Sequence, residues 1–416
     1  MNKIVFVIAI ILASSIIIAY ITTQQSPETE MMDMETTSSP LAVEIGVLLP
    51  LTGDLSSHGE ENLQGTLYAV EEFNEYLKEM GKDWYLKTVI EDTATNPVQA
   101  LEKIQNLKAK NIELVIGPET SSSTSSVLQY ADNNNMVIFS CCSTSPALAI
   151  PNDNVFRLVP DDRQQGKALA TLLKHEGVEN LVTIWRGDTY GDGLTENLKK
   201  SFVNAGGFAD DGVRYNQESP DFSVSTSILA ERVSTLIDEH GSDNVAIVII
   251  GFAESLQFIQ SAAQYDVLDD IRWFGADSLA NEIKLIQDPI ALEFTQNVNF
   301  TTVSPGFAAT SASDKVKTKV FDTLGRYPST FVETSYDIAW IYGLAILEAE
   351  SDRSVDIKPI LMKVASKYEG AIGSIELNEN GDLESSDYSI SAIVDGDWVT
   401  VGNYFRDGTI SFNTQS

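Results

Sequence analysis

Hydroxyl side chains cluster in two short loops, each of which follows an apolar run and precedes a helical pattern. The loop Gly117–Thr124 reads GPETSSST and follows Leu114–Ile116, while Ser140–Pro146 reads SCCSTSP and follows Met136–Phe139. Free backbone N–H groups and hydroxyls at the beginning of a helix bind anions, although they also cap helices. Each loop is therefore either a simple cap or half of an anion site. If both loops follow neighbouring strands they converge on one point, and a carboxylate is the small anion that fits them.

An acidic residue follows a third apolar run in the same manner. Asp277 lies in the segment Gly275-Ala276-Asp277-Ser278, directly after the run Ile271–Phe274. Its spacing suits either a helix N-cap or a carboxylate that faces the same cleft and neutralises an ammonium group. Donors for a carboxylate combined with an acceptor for an ammonium form the recognition set for an α-amino acid.

The elements that must position these residues are apolar strands that alternate with amphipathic helices. Uniformly apolar strands in such an alternation predict parallel sheets covered by helices on both faces. Sheets of this kind bind ligands at the carboxyl ends of their strands, where the loops described above lie. Strands are predicted at Val43–Leu49, Trp84–Ile90, Leu114–Ile116, Met136–Phe139, Leu181–Trp185, Val213–Tyr215, Val245–Ile250, Ile271–Phe274, Tyr388–Val394 and Trp398–Tyr404.

Chain length favours two lobes, because 416 residues exceed one typical domain. The predicted fold class is α/β, with two Rossmann-like lobes that contain parallel sheets and are joined by a hinge. The first lobe is predicted to contain residues 43–160 and 301–372, and the second residues 161–300 and 373–406. Residues 407–416 are predicted to form a tail.

The N-terminal 22 residues carry a targeting or anchoring signal. Lys3 is followed by the apolar run Ile4–Ile21, which has the length of a short membrane span and also suits a cleaved signal peptide. The positive residue before the run and the acidic stretch after it place the main body outside the cell. Residues 23–42 are polar and acidic, which predicts a flexible tether.

Composition excludes several classes of function. The formal net charge is −33, and such a surface repels nucleic acid. The two cysteines, Cys141 and Cys142, are adjacent and are predicted to be free thiols, and three scattered histidines do not form a metal site. We therefore expect no metal and no cofactor. The sequence offers no nucleophile–base pair either, so an enzyme is not expected.

Taken together, these segments resemble the type I periplasmic binding proteins of the leucine/isoleucine/valine-binding family, which serve ABC transporters. The resemblance covers roughly residues 43–405, and its motifs are each short but occur in the family's order. The matching segments are Ile45–Gly53, Val115–Gly117, Ser121–Thr124, Ser140, Ser143–Pro146, Tyr190–Gly193, Gly373 and Gly381-Asp382.

The resemblance implies a set of seven ligand-binding residues. Ser121, Cys142 and Thr144 correspond to residues that hold the ligand carboxylate through hydroxyls and main-chain groups, and Asp277 corresponds to the acid that holds the ammonium. Tyr190 and Phe252 of the other lobe would close over the ligand. His58 stands where the family often has an aromatic residue beside the ligand side chain.

The resemblance further implies an extracellular solute-binding protein that closes two lobes on a branched-chain or other aliphatic amino acid. Its partner would be the membrane permease of an ABC transporter. The protein would lie at the extracellular face of the membrane, anchored by its N-terminal segment, or be secreted or periplasmic if that segment is cleaved. The alternatives are a binder of a small amide or urea-like solute and a ligand-sensing ectodomain. Phe252 replaces a frequent tyrosine and the cysteine pair replaces small residues, which leaves the side-chain preference of the site open.

Overall fold

The computed structural model describes residues 40–413 of the chain. The predicted membrane segment and nearly all of the predicted tether lie outside these residues, as do the last three residues. Across residues 40–413, no helix is both long enough and apolar enough to cross a membrane.

The first lobe contains a five-stranded parallel sheet whose spatial order is β2-β1-β3-β4-β5. The strands β3 and β4 are neighbours, with Leu114 opposite Val137. Because both strands run in the same direction, the two hydroxyl-rich loops leave the sheet side by side. The strands are β1 Leu41–Leu49, β2 Trp84–Asp92, β3 Leu114–Ile116, β4 Val137–Ser140 and β5 Val155–Arg157.

Helices cover both faces of this sheet, as the alternating pattern predicts. One face holds the larger core, in which Ile45, Phe73 and Tyr342 are fully buried. The other face is covered by α2 and α3, which bury residues such as Ile104 and Val127. The helices of this lobe are α1 Ser56–Glu79, α2 Pro97–Ala109, α3 Ser121–Asn133, α11 Ser311–Leu324, α12 Phe331–Ala349 and α13 Ser354–Ala365.

The second lobe contains a sheet of nine strands, of which eight follow the order β16-β15-β14-β11-β10-β9-β6-β7 and β8 also pairs with β6. Its central strand β9, Val245–Ile250, is buried at every position, which explains its uninterrupted apolar sequence. The other strands are β6 Asn180–Arg186, β7 Phe208–Ala209, β8 Val213–Tyr215, β10 Arg272–Gly275, β11 Thr301–Gly306, β14 Asp387–Val394, β15 Asp397–Tyr404 and β16 Ile410–Phe412.

Within residues 40–413, seven helices flank this second sheet, and a short antiparallel pair of strands lies apart from both large sheets. The helices are α4 Asp162–His175, α5 Thr189–Asn204, α6 Ser223–His240, α7 Ser255–Ala262, α8 Asp266–Asp269, α9 Ile283–Gln287 and α10 Pro289–Asn297. The separate pair consists of β12 Glu369–Gly370 and β13 Gly373–Ser374.

The sheet assignments correct three of the predicted boundaries. The segment β11 pairs with β10 and β14 in the second sheet, so the chain returns to the first lobe after Gly306 and not at residue 301. Ile375 and Leu383 pack in the core of the first lobe, although residues 373–406 are predicted to lie in the second. The predicted tail contains β16, which pairs with β15. The sequence of β11, TTVSPG, is too polar and carries a proline, so it does not show the apolar pattern of its neighbours.

Three connections join the lobes, at residues 158–161, 307–310 and 384–386. A buried ion pair lies beside two of them, because both guanidinium Nε and Nη2 of Arg157 donate to Asp382, each at 2.6 Å. Arg157 belongs to β5, and Asp382 belongs to the loop that precedes the last connection. The pair therefore fixes the place where the chain passes from one lobe to the other.

Candidate ligand-binding site

Ser121 ties the two hydroxyl-rich loops together. Thr120 caps α3 by accepting the backbone N–H of Ser123 at 3.1 Å, which places Ser121 at the first helical position. The hydroxyl oxygen of Ser121 accepts the backbone N–H groups of Thr144 and Ser145 at 3.2 and 3.1 Å. The predicted convergence of the two loops is confirmed by these contacts.

Hydrogen bonds from Ser140 and Arg157 hold the second hydroxyl-rich loop in its conformation. The hydroxyl of Ser140 donates to the carbonyl of Pro118 at 2.6 Å and accepts the N–H of Ser143 at 3.1 Å. Nη1 of Arg157 donates to the carbonyl of Ser145 at 2.8 Å, so the buried guanidinium supports the loop that contains Thr144. With these groups engaged, the loop is preorganised for a ligand.

Gly117 permits the sharp turn between β3 and this site. Its φ is +94°, and a Cβ atom at this position would lie 2.1 Å from the carbonyl oxygen of Leu48. We expect Gly117→Ala to destabilise the protein by about 2 to 4 kcal/mol, because it combines a left-handed backbone with a clash against backbone atoms. Gly81 is the matched control: its φ is +69°, but nothing lies within 4 Å of its Cβ position, so Gly81→Ala should cost only about 1 kcal/mol. Urea denaturation followed by circular dichroism measures both changes, and equal losses for the two variants would contradict this account.

The second lobe contributes two stacked aromatic rings. Asp188 caps α5 by accepting the N–H groups of Tyr190 and Gly191 at 3.1 and 3.0 Å, which fixes Tyr190 in the first turn. The rings of Tyr190 and Phe252 stack with their centroids 5.5 Å apart. Arg186 lies 3.7 Å from the centroid of Phe252 and also pairs with Asp188, so one buried cation positions both rings.

Asp277 follows β10 and faces these rings. The hydroxyl of Tyr190 donates to Oδ1 of Asp277 at 2.6 Å, and the N–H of Ser278 donates to the same oxygen at 2.8 Å. Burial raises the pKa of Asp277, while the hydroxyl of Tyr190 opposes that rise. A short 3-10 helix begins at Asp277, but its side chain does not cap that helix. Of the two roles predicted for Asp277, helix N-cap or cleft-facing carboxylate, the geometry shows the second.

A second buried acid, Asp162, lies close to Asp277 and was not predicted. It is the first residue of α4, and its carboxylate oxygens find no hydrogen-bond partner within residues 40–413. Burial raises the pKa of Asp162 well above its usual value, and the charge of Asp277 raises it further. The only sequence signal is the pair Asp161-Asp162 ahead of a helical pattern, which on its own is typical of an ordinary helix start.

A cavity between the lobes collects most of the predicted residues. In this conformation the cavity is tight, with a volume of about 30 Å³. Six of the seven predicted residues line it, namely His58, Ser121, Cys142, Tyr190, Phe252 and Asp277. Thr144 does not line the cavity directly, but its backbone N–H donates to the hydroxyl of Ser121.

Three polar lining residues are not among the predicted site residues. Glu119, Thr120 and Ser278 all line the cavity. Each lies close in sequence to a predicted residue, since Glu119 and Thr120 precede Ser121 and Ser278 follows Asp277. The sequence places them at the right edge of the sheet, but does not show which side chains of a loop turn inward.

The lobes meet at the rim of the cavity. The N–H of Ala253, in the second lobe, donates to the carbonyl of Asp54, in the first, at 3.3 Å. Leu55, which lines the cavity, is packed in the second lobe's core. The described conformation is therefore one in which the two lobes touch around the cavity.

The prediction that Cys141 and Cys142 are free thiols is wrong in this structure, where a disulfide bond joins them. The bond lies in the second loop, and Cys142 contributes to the cavity lining. Nδ2 of Asn62 approaches Sγ of Cys142 at 3.4 Å, and Thr334 donates to the carbonyl of Cys141 at 3.0 Å. Sequence proximity alone argues against such a pair, because a bond between neighbours demands an uncommon local backbone.

Two α/β lobes that are joined by three connections and have a cavity between them are the architecture of the type I periplasmic binding proteins. The chain belongs to the family described as receptor family ligand binding region, whose pattern matches residues 62–396. Its relatives and structural neighbours include substrate-binding proteins of the leucine/isoleucine/valine-binding type. The resemblance and the fold class predicted from the sequence are both confirmed.

Individual relatives and solved structures are similar to the chain over most of its length. It is 25% identical over 364 residues to a Leu/Ile/Val-binding protein of Rhizobium johnstonii, an alignment that covers 85% of this chain and 92% of that protein. A leucine-binding protein of Thermotoga maritima superposes with a TM-score of 0.75 at 21% identity, covering 88% of this chain and all of that one. A solute-binding protein of an ABC transporter from R. palustris, solved in complex with benzoate, gives 0.72 at 16% identity, covering 90% and 98%. The last two likenesses concern the fold, which therefore accommodates more than one class of ligand.

Proposed function

We propose that this protein binds an α-amino acid outside the cell and delivers it to the membrane permease of an ABC transporter. The observation that carries the proposal is the pairing of opposite chemistries around one cavity. Thr120 and Ser121, at the beginning of a helix of the first lobe, line it together with the buried carboxylate of Asp277 from the second lobe.

The carboxylate of the ligand would bind at the beginning of α3. The first turn of a helix leaves backbone N–H groups without intrahelical partners, and these groups favour an anion. Ser121 lies at this position and lines the cavity. The hydroxyl of Thr144 is buried close to the carboxylate of Asp162, whose pKa it lowers, so the proposal takes the donors for the anion from Ser121 and the first turn of α3.

The ammonium group would bind at Asp277, below the stacked rings of Tyr190 and Phe252. Closing the lobes removes water, and a charge pair is stronger in that environment than in bulk water. The ring of Tyr190 also attracts a cation, whereas the ring of Phe252 already lies against Arg186. Both ends of a zwitterion would then be held only when the lobes are together, which couples binding to closure about the three connections.

The relatives supply the first ligand candidates and the cellular context. Leucine, isoleucine and valine are the amino acids named for the Rhizobium relative, so the proposal includes branched-chain and other aliphatic ligands. Binding proteins of this type act without catalysis, and we propose the same here. We also propose that the protein lies at the extracellular face of the membrane, held by its N-terminal segment or released if that segment is cleaved.

A thermal-unfolding screen tests this function. The full-length chain is heated with each common amino acid, and with acetamide, urea and benzoate as alternatives. We expect at least one amino acid at about a hundred times its Kd to raise the Tm by on the order of 5 °C, because ligands stabilise the folded state by mass action. The matching carboxylic acid without its amino group is the control, and it should raise the Tm less. Stabilisation by an amide, urea or benzoate but by no amino acid would overturn the proposal.

A further inference from the structure

The part of the cavity formed by the first lobe contains unpaired polar groups that an amino acid backbone does not need. Glu119 and His58 both line the cavity and are each 2% exposed. Neither carboxylate oxygen of Glu119, nor Nε2 of His58, finds a hydrogen-bond partner in the part of the chain that the structure describes. These groups are distinct from Ser121 and Asp277, which hold the two poles of the zwitterion in the proposed function.

Burial changes the pKa of Glu119. Loss of solvent raises its pKa to about 7, and the neighbouring side chains of His58 and Asn62 oppose this rise. The buried carboxyl group of Glu119 is stabilised by a hydrogen-bond donor placed against it, whether it is ionised or protonated at neutral pH. Desolvation of such a group without a partner is unfavourable, so a side chain that fills the cavity and leaves Glu119 unpaired binds less well.

We propose that the side-chain end of this cavity selects a short side chain that donates a hydrogen bond to Glu119, such as a hydroxyl or a carboxamide, over a branched aliphatic one. The inference rests on the proposed amino-acid-binding function and narrows the ligand within it. His58 supplies a second polar contact for the same group. The cavity is only about 30 Å³ in this conformation and must also make room for the ligand's backbone, and Leu55 and Phe331 line its walls, which favours a short side chain.

Pairs of amino acids with matched shape isolate the donor. Threonine and valine differ by a hydroxyl in place of a methyl group, and asparagine and leucine differ by a carboxamide in place of an isopropyl group. Isothermal titration calorimetry on the full-length chain measures the four affinities. We expect the polar member of at least one pair to bind roughly fivefold or more tightly than its apolar partner, because the apolar one leaves Glu119 buried and unpaired.

Two substitutions test whether Glu119 is the source of this preference. Glu119→Leu should reverse it, so that valine or leucine binds more tightly than threonine or asparagine. Glu119→Gln keeps an acceptor oxygen and the side-chain shape, and should keep the direction of the preference. Glu102→Leu is the matched control, because the same change on the exposed side of α2 should leave all four affinities unchanged.

The outcomes separate this inference from the function on which it rests. If the wild-type protein binds valine and leucine at least as tightly as threonine and asparagine, the inference is overturned while the proposed function stands. A preference that survives in Glu119→Leu also overturns it, because the selecting group is then another residue. If none of the common amino acids binds the wild-type protein, both proposals fail. The wild-type comparison decides the matter even if a variant does not fold.

Discussion

Arg157→Ala is expected to lower the free energy of unfolding by about 3 to 5 kcal/mol, since it leaves a buried carboxylate without its cation. Arg157 is fully buried, and Asp382 is 1% exposed. Two guanidinium nitrogens contact the two oxygens of Asp382, and a third donates to the carbonyls of Ser143 and Ser145. Removing the side chain therefore leaves four acceptor oxygens without the guanidinium, and it also leaves a cavity.

An exposed pair of the same geometry provides the control for this prediction. Arg214 contacts Asp192 through two nitrogens, at 2.7 and 2.9 Å, but both side chains are about half exposed. Arg214→Ala should cost about 0 to 1 kcal/mol, because water screens the pair and solvates either charge alone. Chemical denaturation of the two full-length variants at one pH gives both values. A loss below about 1 kcal/mol for Arg157→Ala would show that the buried pair does not hold this region together.

The effect of Arg157 should extend to ligand binding. The carbonyls that it holds belong to the residues on either side of Thr144, whose backbone N–H reaches the hydroxyl of Ser121. Without the guanidinium, the loop loses the hydrogen bonds to its two carbonyls, and its donors are no longer preorganised for a carboxylate. The ion pair thus links the stability of the first lobe to the geometry of the proposed site.

The strand ends were predictable from sequence because parallel sheets obey simple rules. Buried strands such as β9 are apolar throughout, and their carboxyl ends share one edge. That argument alone places Ser121 and Asp277 near a common cleft. The resemblance to a known family added Tyr190, Phe252 and His58, which no periodicity could have brought together across two lobes.

What the sequence could not show depends on the direction of single side chains and on local backbone geometry. Glu119 sits among hydroxyl residues in a loop, where nothing in the pattern distinguishes an inward carboxylate from a solvated one. Asp162 looks like an ordinary acidic residue in a first helical turn, and only the packing of α4 against the second sheet buries it. The strand β11 was missed because its pairing partners, β10 and β14, supply the stability that its own composition does not predict.

The Asp162–Asp277 pair determines which ligand charge the site favours. Each carboxyl is buried, and the charge on Asp277 raises the pKa of Asp162. Two carboxylates held close together disfavour each other's ionised form, so a positive group placed between the lobes is strongly favoured. Asp277 is the member of the pair that lines the cavity, and Tyr190 fixes its orientation.

Asp277→Ala is therefore expected to weaken amino-acid binding by about 30-fold or more, because loss of one partner of a buried charge pair costs roughly 2 to 5 kcal/mol. Calorimetry with the amino acid that stabilises the protein most in the thermal screen measures the change. The same ligand without its amino group is the internal control, and its weaker binding should respond little to the substitution, since it has no ammonium to lose. Asp277→Asn retains an acceptor for Tyr190 but removes the charge, so it should lie between the wild-type and alanine proteins. Equal affinities of the wild-type and Asp277→Ala proteins for the amino acid would remove Asp277 from the site and, with it, the chemical basis for an α-amino acid ligand.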